Sequence, residues 1–210
     1  MTDKKNSIGD ELVEDSKLLA DSLGGPRGMI ESGAPAIVFI TTYSLSKQDL
    51  QNSLYAAISV AAIFAVLRLM RRETQSQVIA GFIGVAFSAW LATKSGKAEN
   101  FFLPGILTNL VYATVCIISL IINKPILGYV LESLRGQSST WQKNKEALKR
   151  YRAITILWSL VFLLRVLIMG PLYLANETTL LGFFKVALGW PLFGLAAYLT
   201  FALNKRAVKA

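Results

Sequence analysis

The chain contains no histidine and a single cysteine among its 210 residues. Without histidine it lacks the commonest general base, the commonest metal ligand and the usual proton switch near neutral pH. Cys116 has no partner for an internal disulfide and stands inside an apolar stretch, where a thiol acts as a small hydrophobe. Several motifs are also missing. There is no zinc-protease helix, no Gly-x-Ser-x-Gly nucleophile elbow and no phosphate loop ending in Gly-Lys-Ser/Thr. No pair of acids falls within an apolar span, so a carboxylate proton relay has no members. The expectation is a non-enzymatic protein with no cofactor and no metal.

Charge is scarce over long distances. Lys, Arg, Asp and Glu make up 17% of the chain, and they gather in short clusters between apolar runs. A run of about 20 apolar residues matches the roughly 30 Å hydrocarbon core of a bilayer. Six runs stand out: 34–45, 54–70, 78–92, 101–122, 153–174 and 180–203. The first and third are short for a full crossing and need tilt or flanking residues to complete them. The first, led by Pro35, reads alternatively as a re-entrant segment. No cleaved leader is expected, because the first apolar run follows an acidic and polar stretch rather than a basic start.

The predicted fold is therefore all-α: a polytopic membrane bundle of six transmembrane helices, with five as the alternative. It divides into a polar N-terminal segment (1–33), a transmembrane domain (34–203) with a basic cytoplasmic connection at 123–152, and a basic tail (204–210). Charge bias orients it. With the N-terminus inside, the inner segments hold 17 of the 22 Lys and Arg, against three outside (Lys47, Lys94 and Lys97); Arg165 and Lys185 lie within spans. That asymmetry predicts a plasma-membrane protein with both ends cytoplasmic. The net charge of +9 flanks apolar spans, which points to anionic lipid headgroups rather than to nucleic acid.

Two cytoplasmic features are candidates for surface binding. Residues 10–23 form a helix with an acidic face on one reading and a solvated tail on the other. In the long connection, Ser139 with Gln142 suggests a capping box. A short helix after it places Trp141, Leu148 and Tyr151 on one face. Lys143, Lys145, Lys149, Arg150 and Arg152 cover the others. This basic amphipathic segment suits an anionic leaflet, with Trp141 and the five basic residues as headgroup ligands; ordinary positive-inside charge is the plainer account.

Arg165 is the sharpest signal. An Arg at the centre of a span costs roughly 2.5–3.5 kcal/mol on insertion scales, so it is expected to face the bundle or a water-filled cavity. Trp158, Phe162 and Met169 lie at helical spacing around it. With Asn109 and Tyr112 of the preceding span, Arg165 and Trp158 are the candidates to line a site for an anionic or lipid-like ligand; a structural Arg tying helices together is the alternative. Lys185, near the end of the last span, is a weaker ligand candidate that can snorkel to the headgroups. Small residues at four-residue spacing, Ala57, Ala61 and Ala65 and again Ala80, Gly84 and Ser88, predict close helix packing or dimerisation. Pro125 to Gly128 and Pro191 to Gly194 share a Pro-apolar-apolar-Gly pattern, a faint cue for broken helices of the transporter kind.

Several pieces taken together resemble a family of small actinobacterial multi-pass membrane proteins of unknown function. They are Gly24-Gly-Pro-Arg27-Gly28, Gly33-Ala-Pro35, Arg68 with Arg71 and Arg72, Phe101-Phe-Leu-Pro104-Gly105, Lys124-Pro125-Ile-Leu-Gly128, Trp141, Thr155 with Trp158 and Arg165, Pro171-Leu-Tyr173 and Leu188-Gly-Trp-Pro191-Leu. The Lys124-Pro125 step and the Trp158 and Gly189 regions are more distantly similar to the intracellular septation protein A family. That likeness implies an inner-membrane protein linked to the cell envelope or division, and it supplies no catalytic residue. Three functions follow as expectations: a carrier centred on Arg165, an envelope scaffold recruiting a membrane-protein partner or a second copy, and a membrane enzyme acting on lipid.

Overall fold

A computed structural model describes residues 25–71, 75–134 and 139–207. Among them there is no strand. Eight helices follow one another: α1 (Gly25–Leu45), α2 (Leu50–Met70), α3 (Gln75–Ser95), α4 (Leu103–Ile121), α5 (Ile126–Leu134), α6 (Lys145–Leu174), α7 (Thr178–Ala187) and α8 (Trp190–Ala207), with 3-10 turns at Ala98–Phe101 and Ser139–Lys143. The acidic segment at 10–23 lies outside the described residues.

Five stretches are long and apolar enough to cross a membrane: Leu50–Met70, Gln75–Ser95, Leu103–Ile121, Lys145–Leu174 and Thr178–Leu203. Between 11% and 28% of each is buried within the protein, so most of their side chains point outward. Ile83, Leu160 and Leu167 are each more than half exposed. Apolar surface on that scale is what a lipid-facing helix presents, and water would penalise it. These five correspond to the last five apolar runs of the sequence. The apolar part of α1, Gly33–Leu45, is shorter.

Helix ends have local causes. The Asp49 carboxylate accepts from the Asn52 backbone N–H at 3.1 Å and caps α2. Lys47 and Gln48, at φ 54° and 67°, turn the chain from α1 into it. The Asn144 side chain accepts from the N–H groups of Glu146 and Ala147 at 2.9 and 3.3 Å. It thereby starts α6, and a 3-10 turn at Ser139–Lys143 precedes it. From Lys145 the helix runs 30 residues without interruption. That is about 45 Å, longer than the hydrocarbon core. The basic residues 145–152, expected as a separate surface helix, are the first two turns of a span. The last apolar run is interrupted instead. α7 ends at Ala187, and a Cβ on Gly189 would lie 2.7 Å from the Lys185 carbonyl oxygen. Pro191, lacking an N–H, then sits in the first turn of α8, where no backbone partner is needed.

The described residues fall into two compact units, one of Leu23–Leu107 with Leu167–Trp190 and one of Thr108–Val166 with Pro191–Ala210. In the first, α1 packs on α2 and α7, and α2 on α3. Its core gathers Phe39, Phe101, Phe102, Met169, Leu181 and the small residues Ala57 and Ala92. Gly182 meets Ile40 at 2.6 Å from where a Cβ would stand, and Gly33 lies against the Trp190 ring. In the second, Leu131, Trp141, Ala147, Tyr151 and Ile154 form the core around Gly128. Buried hydroxyls in the spans donate back along their own helix. Ser88 reaches the Gly84 carbonyl at 2.9 Å and Thr155 that of Tyr151 at 2.8 Å. The two small-residue stripes differ: Ala57 and Ala61 are buried, whereas Ala80 and Gly84 face outward.

Candidate functional site

In the unit that contains it, Arg165 meets an aromatic ring. Its guanidinium carbon lies 5.0 Å from the centre of the Phe193 ring. Its Nε is buried and has no hydrogen-bond partner among the described residues. Phe193 belongs to α8, four residues after the Gly189 break, so the interruption of the last run brings an aromatic face to the cation. Phe193 also meets Trp158 at 5.7 Å and Phe162 at 6.0 Å, while Tyr112 tilts against Phe162 at 5.3 Å. Trp158, Tyr112 and Arg165 thus join one aromatic cluster through Phe162 and Phe193, two residues that complete it. Phe162 was visible in the sequence as a neighbour of Arg165 at helical spacing. Phe193, twenty-eight residues after Arg165, carried no such signal.

Trp158 has a defined role in that cluster. Its indole N–H donates to Thr200 Oγ1 at 3.0 Å, and the Thr200 hydroxyl donates to the Ala196 carbonyl at 2.8 Å. The indole proton is therefore engaged, and what Trp158 offers is a ring face. Asn109, on α4 three residues before Tyr112, is buried and has a partner of its own.

The basic connection is divided by exposure. Lys143, Lys145, Lys149 and Arg152 are exposed. Arg150 is half-buried, with its guanidinium 5.0 Å from the Tyr151 ring centre and its Nε without a hydrogen-bond partner among the described residues. Trp141 belongs to the core. It packs edge-on against Tyr129 and Tyr151 at 5.2 and 4.9 Å, and a Cβ on Gly128 would meet its ring at 2.7 Å. Trp141, Leu148 and Tyr151 do share one face, and that face packs on α5. The Tyr151 hydroxyl donates to the buried Glu132 carboxylate.

The other unit holds Lys185 and a cluster that sequence reading missed. Lys185 Nζ lies 5.4 and 5.3 Å from the ring centres of Phe101 and Phe102. These rings stand at the buried Ala98–Phe101 turn, where Asn100 accepts a hydrogen bond from the Tyr173 hydroxyl at 2.6 Å. The missed cluster centres on Glu31 of α1, whose side chain is 6% exposed. Arg71 Nη1 donates to Glu31 Oε1 at 2.7 Å, and Arg68 Nε lies 3.9 Å from Oε2. Glu31 and Arg68 line a cavity of about 120 Å³ between α1, α2 and α3, whose walls also include Phe64, Ala65, Gly81 and Phe82. The sequence assigned Glu31 to a polar leader and counted the arginines as topological charge. The only signal was an acid four residues before Pro35 at the mouth of an apolar run. Among the described residues no three His, Cys, Asp or Glu side chains stand together as a metal-binding group.

No curated protein and no solved structure matches the chain. A family model does, over residues 23–210, and the chain belongs to that family, described as Protein of unknown function (DUF3159).

Proposed function

We propose that the protein binds an anionic, lipid-like solute inside the membrane through Arg165, as a non-enzymatic, transporter-like unit. One observation carries the reading: a guanidinium in the middle of a span whose Nε is buried without a hydrogen-bond partner among the described residues, backed by the ring of Phe193. A buried donor left unmade costs roughly 1–3 kcal/mol, more when charged, and a phosphate or carboxylate oxygen would recover that. The rings of Trp158, Phe162 and Phe193 supply the apolar surround that an acyl chain prefers.

In this reading α1 also crosses, giving six spans in the plasma membrane with both ends cytoplasmic, on the strength of the 17-to-3 charge asymmetry. The exposed Lys143, Lys145, Lys149 and Arg152 then lie at the cytoplasmic face, where they attract anionic headgroups or a partner protein. That second role is the basis of the scaffold reading, with its link to the cell envelope.

The test is lipid retention. Wild type and Arg165→Leu are embedded in phosphatidylglycerol nanodiscs, released, and weighed by native mass spectrometry. Wild type should keep one phosphatidylglycerol per chain that Arg165→Leu loses, with Arg165→Lys in between. Equal retention by all three would exclude Arg165 as the ligand.

A further inference from the structure

Given Arg165 as an anion site, the reading on which this rests, we infer that the site selects its lipid by charge. It takes a headgroup with a single negative charge, such as the phosphodiester of phosphatidylglycerol. It rejects a doubly charged phosphomonoester such as that of phosphatidic acid. The stretches that carry the aromatic cluster, 103–121, 153–174 and 190–203, contain one charged side chain between them, and it is Arg165. Their other titratable groups are Tyr112, Cys116, Tyr173 and Tyr198, phenols and a thiol that supply no second cation.

The surroundings make the match strict. Phe193 lies against the guanidinium at 5.0 Å, and Phe162 and Trp158 stand 6.0 and 5.7 Å from Phe193. Aromatic faces carry the negative part of the ring quadrupole, so they hold a cation and repel surplus negative charge. The nearby polar groups are already committed. The Trp158 indole N–H donates to Thr200, the Thr200 hydroxyl donates to the Ala196 carbonyl, and Asn109 has a partner of its own. A monoanion on Arg165 therefore forms a neutral pair. A dianion leaves one charge uncompensated at the middle of a span, where it is costly. A phosphomonoester loses its second proton at about pH 6, so it fits below that pH and not above it. A phosphodiester has no second proton to lose and keeps one charge throughout. The exposed Lys143, Lys145, Lys149 and Arg152 act in the opposite sense, because clustered surface cations gain from a second negative charge. The direction of the pH effect thus tells the two kinds of site apart.

The experiment uses the full-length protein in phosphatidylcholine nanodiscs doped with equal small amounts of phosphatidylglycerol and phosphatidic acid of distinguishable acyl mass. It is run at about pH 5 and about pH 8, either side of the second ionisation of the phosphomonoester. Native mass spectrometry weighs the lipids that each chain retains, and the quantity read is retention by wild type less retention by Arg165→Leu. Arg165→Gln repeats the subtraction, and helical circular dichroism with a single elution peak establishes that each variant is folded. At the higher pH the Arg165-dependent share should favour phosphatidylglycerol by about tenfold or more. At the lower pH that preference should shrink to about threefold or less, through gain of phosphatidic acid and with phosphatidylglycerol unchanged. Equal retention of the two lipids at the higher pH, or a preference for phosphatidic acid that grows with pH, overturns the charge match while leaving Arg165 as an anion site. If both variants retain both lipids as wild type does, there is no Arg165-dependent share, and the parent reading falls with this one.

Discussion

Arg71 and Arg165 are the same residue handled in opposite ways. Arg71, at the C-terminal end of α2, finds a buried carboxylate at 2.7 Å and remains a third exposed. Arg165, in the middle of α6, finds the face of Phe193, and its Nε has no hydrogen-bond partner among the described residues. The first arrangement settles its charge locally. The second keeps a desolvated cation held by a ring quadrupole, worth up to about 2 kcal/mol when water is excluded and less than a matched carboxylate would give. A structural role wants the first arrangement; a site that must take and release an anion is better served by the second.

Glu31→Leu should be the most damaging, because it leaves Arg68 and Arg71 facing each other without their carboxylate. Stranding one member of a buried pair costs 3–5 kcal/mol, and the partial exposure of both arginines brings this down to about 2.5 kcal/mol. Thermal unfolding in maltoside micelles measures it. A loss below 0.5 kcal/mol would mean that the cluster is a surface pair. Gly128→Ala comes next, in the other unit. Its Cβ would press on the Trp141 ring at 2.7 Å and on the Tyr151 ring at 3.1 Å, two rigid neighbours, and overpacking of that kind costs about 2 kcal/mol. Gly81→Ala is the contrast: with open space around it, the substitution should gain up to about 0.8 kcal/mol through helix propensity. If both glycines respond alike, the packing around Trp141 is looser than drawn.

Which parts could be read beforehand follows from what each depends on. Five apolar runs became five span-length helices because hydropathy over twenty residues depends on composition alone. The break at Gly189 was harder to see. Pro191 was noticed, but whether a proline kinks, starts or ends a helix depends on what packs near it, here the Lys185 carbonyl behind Gly189. Lys185 was noted as a cation near the end of the last run; the Phe101 and Phe102 rings beside it are more than eighty residues away. Glu31 escaped for the same reason. Its meaning lies in Arg71, forty residues on, and nothing local distinguishes it from the acids of the leader. Local chemistry was legible and long-range partnership was not. Arg165 was noticed because its conflict with the membrane is itself local.

A smaller effect sharpens the picture of the basic connection. Tyr151→Phe removes the hydroxyl that donates to the buried Glu132 carboxylate, and with it one donor to a charged acceptor. The expected loss is about 1.5 kcal/mol. The same substitution leaves the ring under Arg150 in place, so affinity for phosphatidylglycerol vesicles should be unchanged. A fall in vesicle binding without a fall in stability would transfer the importance of Tyr151 from packing to the headgroup surface.

The last effect on stability is the most telling. Arg165→Leu removes a cation whose placement at mid-span costs roughly 2.5–3.5 kcal/mol, and it forfeits a ring contact worth up to about 2 kcal/mol. With the contact at its full worth the difference is roughly 0.5–1.5 kcal/mol, so folding should change by a small amount on the stabilising side, as when buried ionic groups are exchanged for apolar ones of similar volume. An arginine that tied helices together through several hydrogen bonds would behave otherwise, since its loss would leave their acceptors unmatched and cost more than 2 kcal/mol. Unfolding of Arg165→Leu and Glu31→Leu side by side in the same micelles therefore tests the comparison directly. A large loss for both makes Arg165 a structural tie like Arg71. A loss for Glu31→Leu alone leaves Arg165 maintained at an energetic cost that stability does not explain, which is the expected signature of a ligand site.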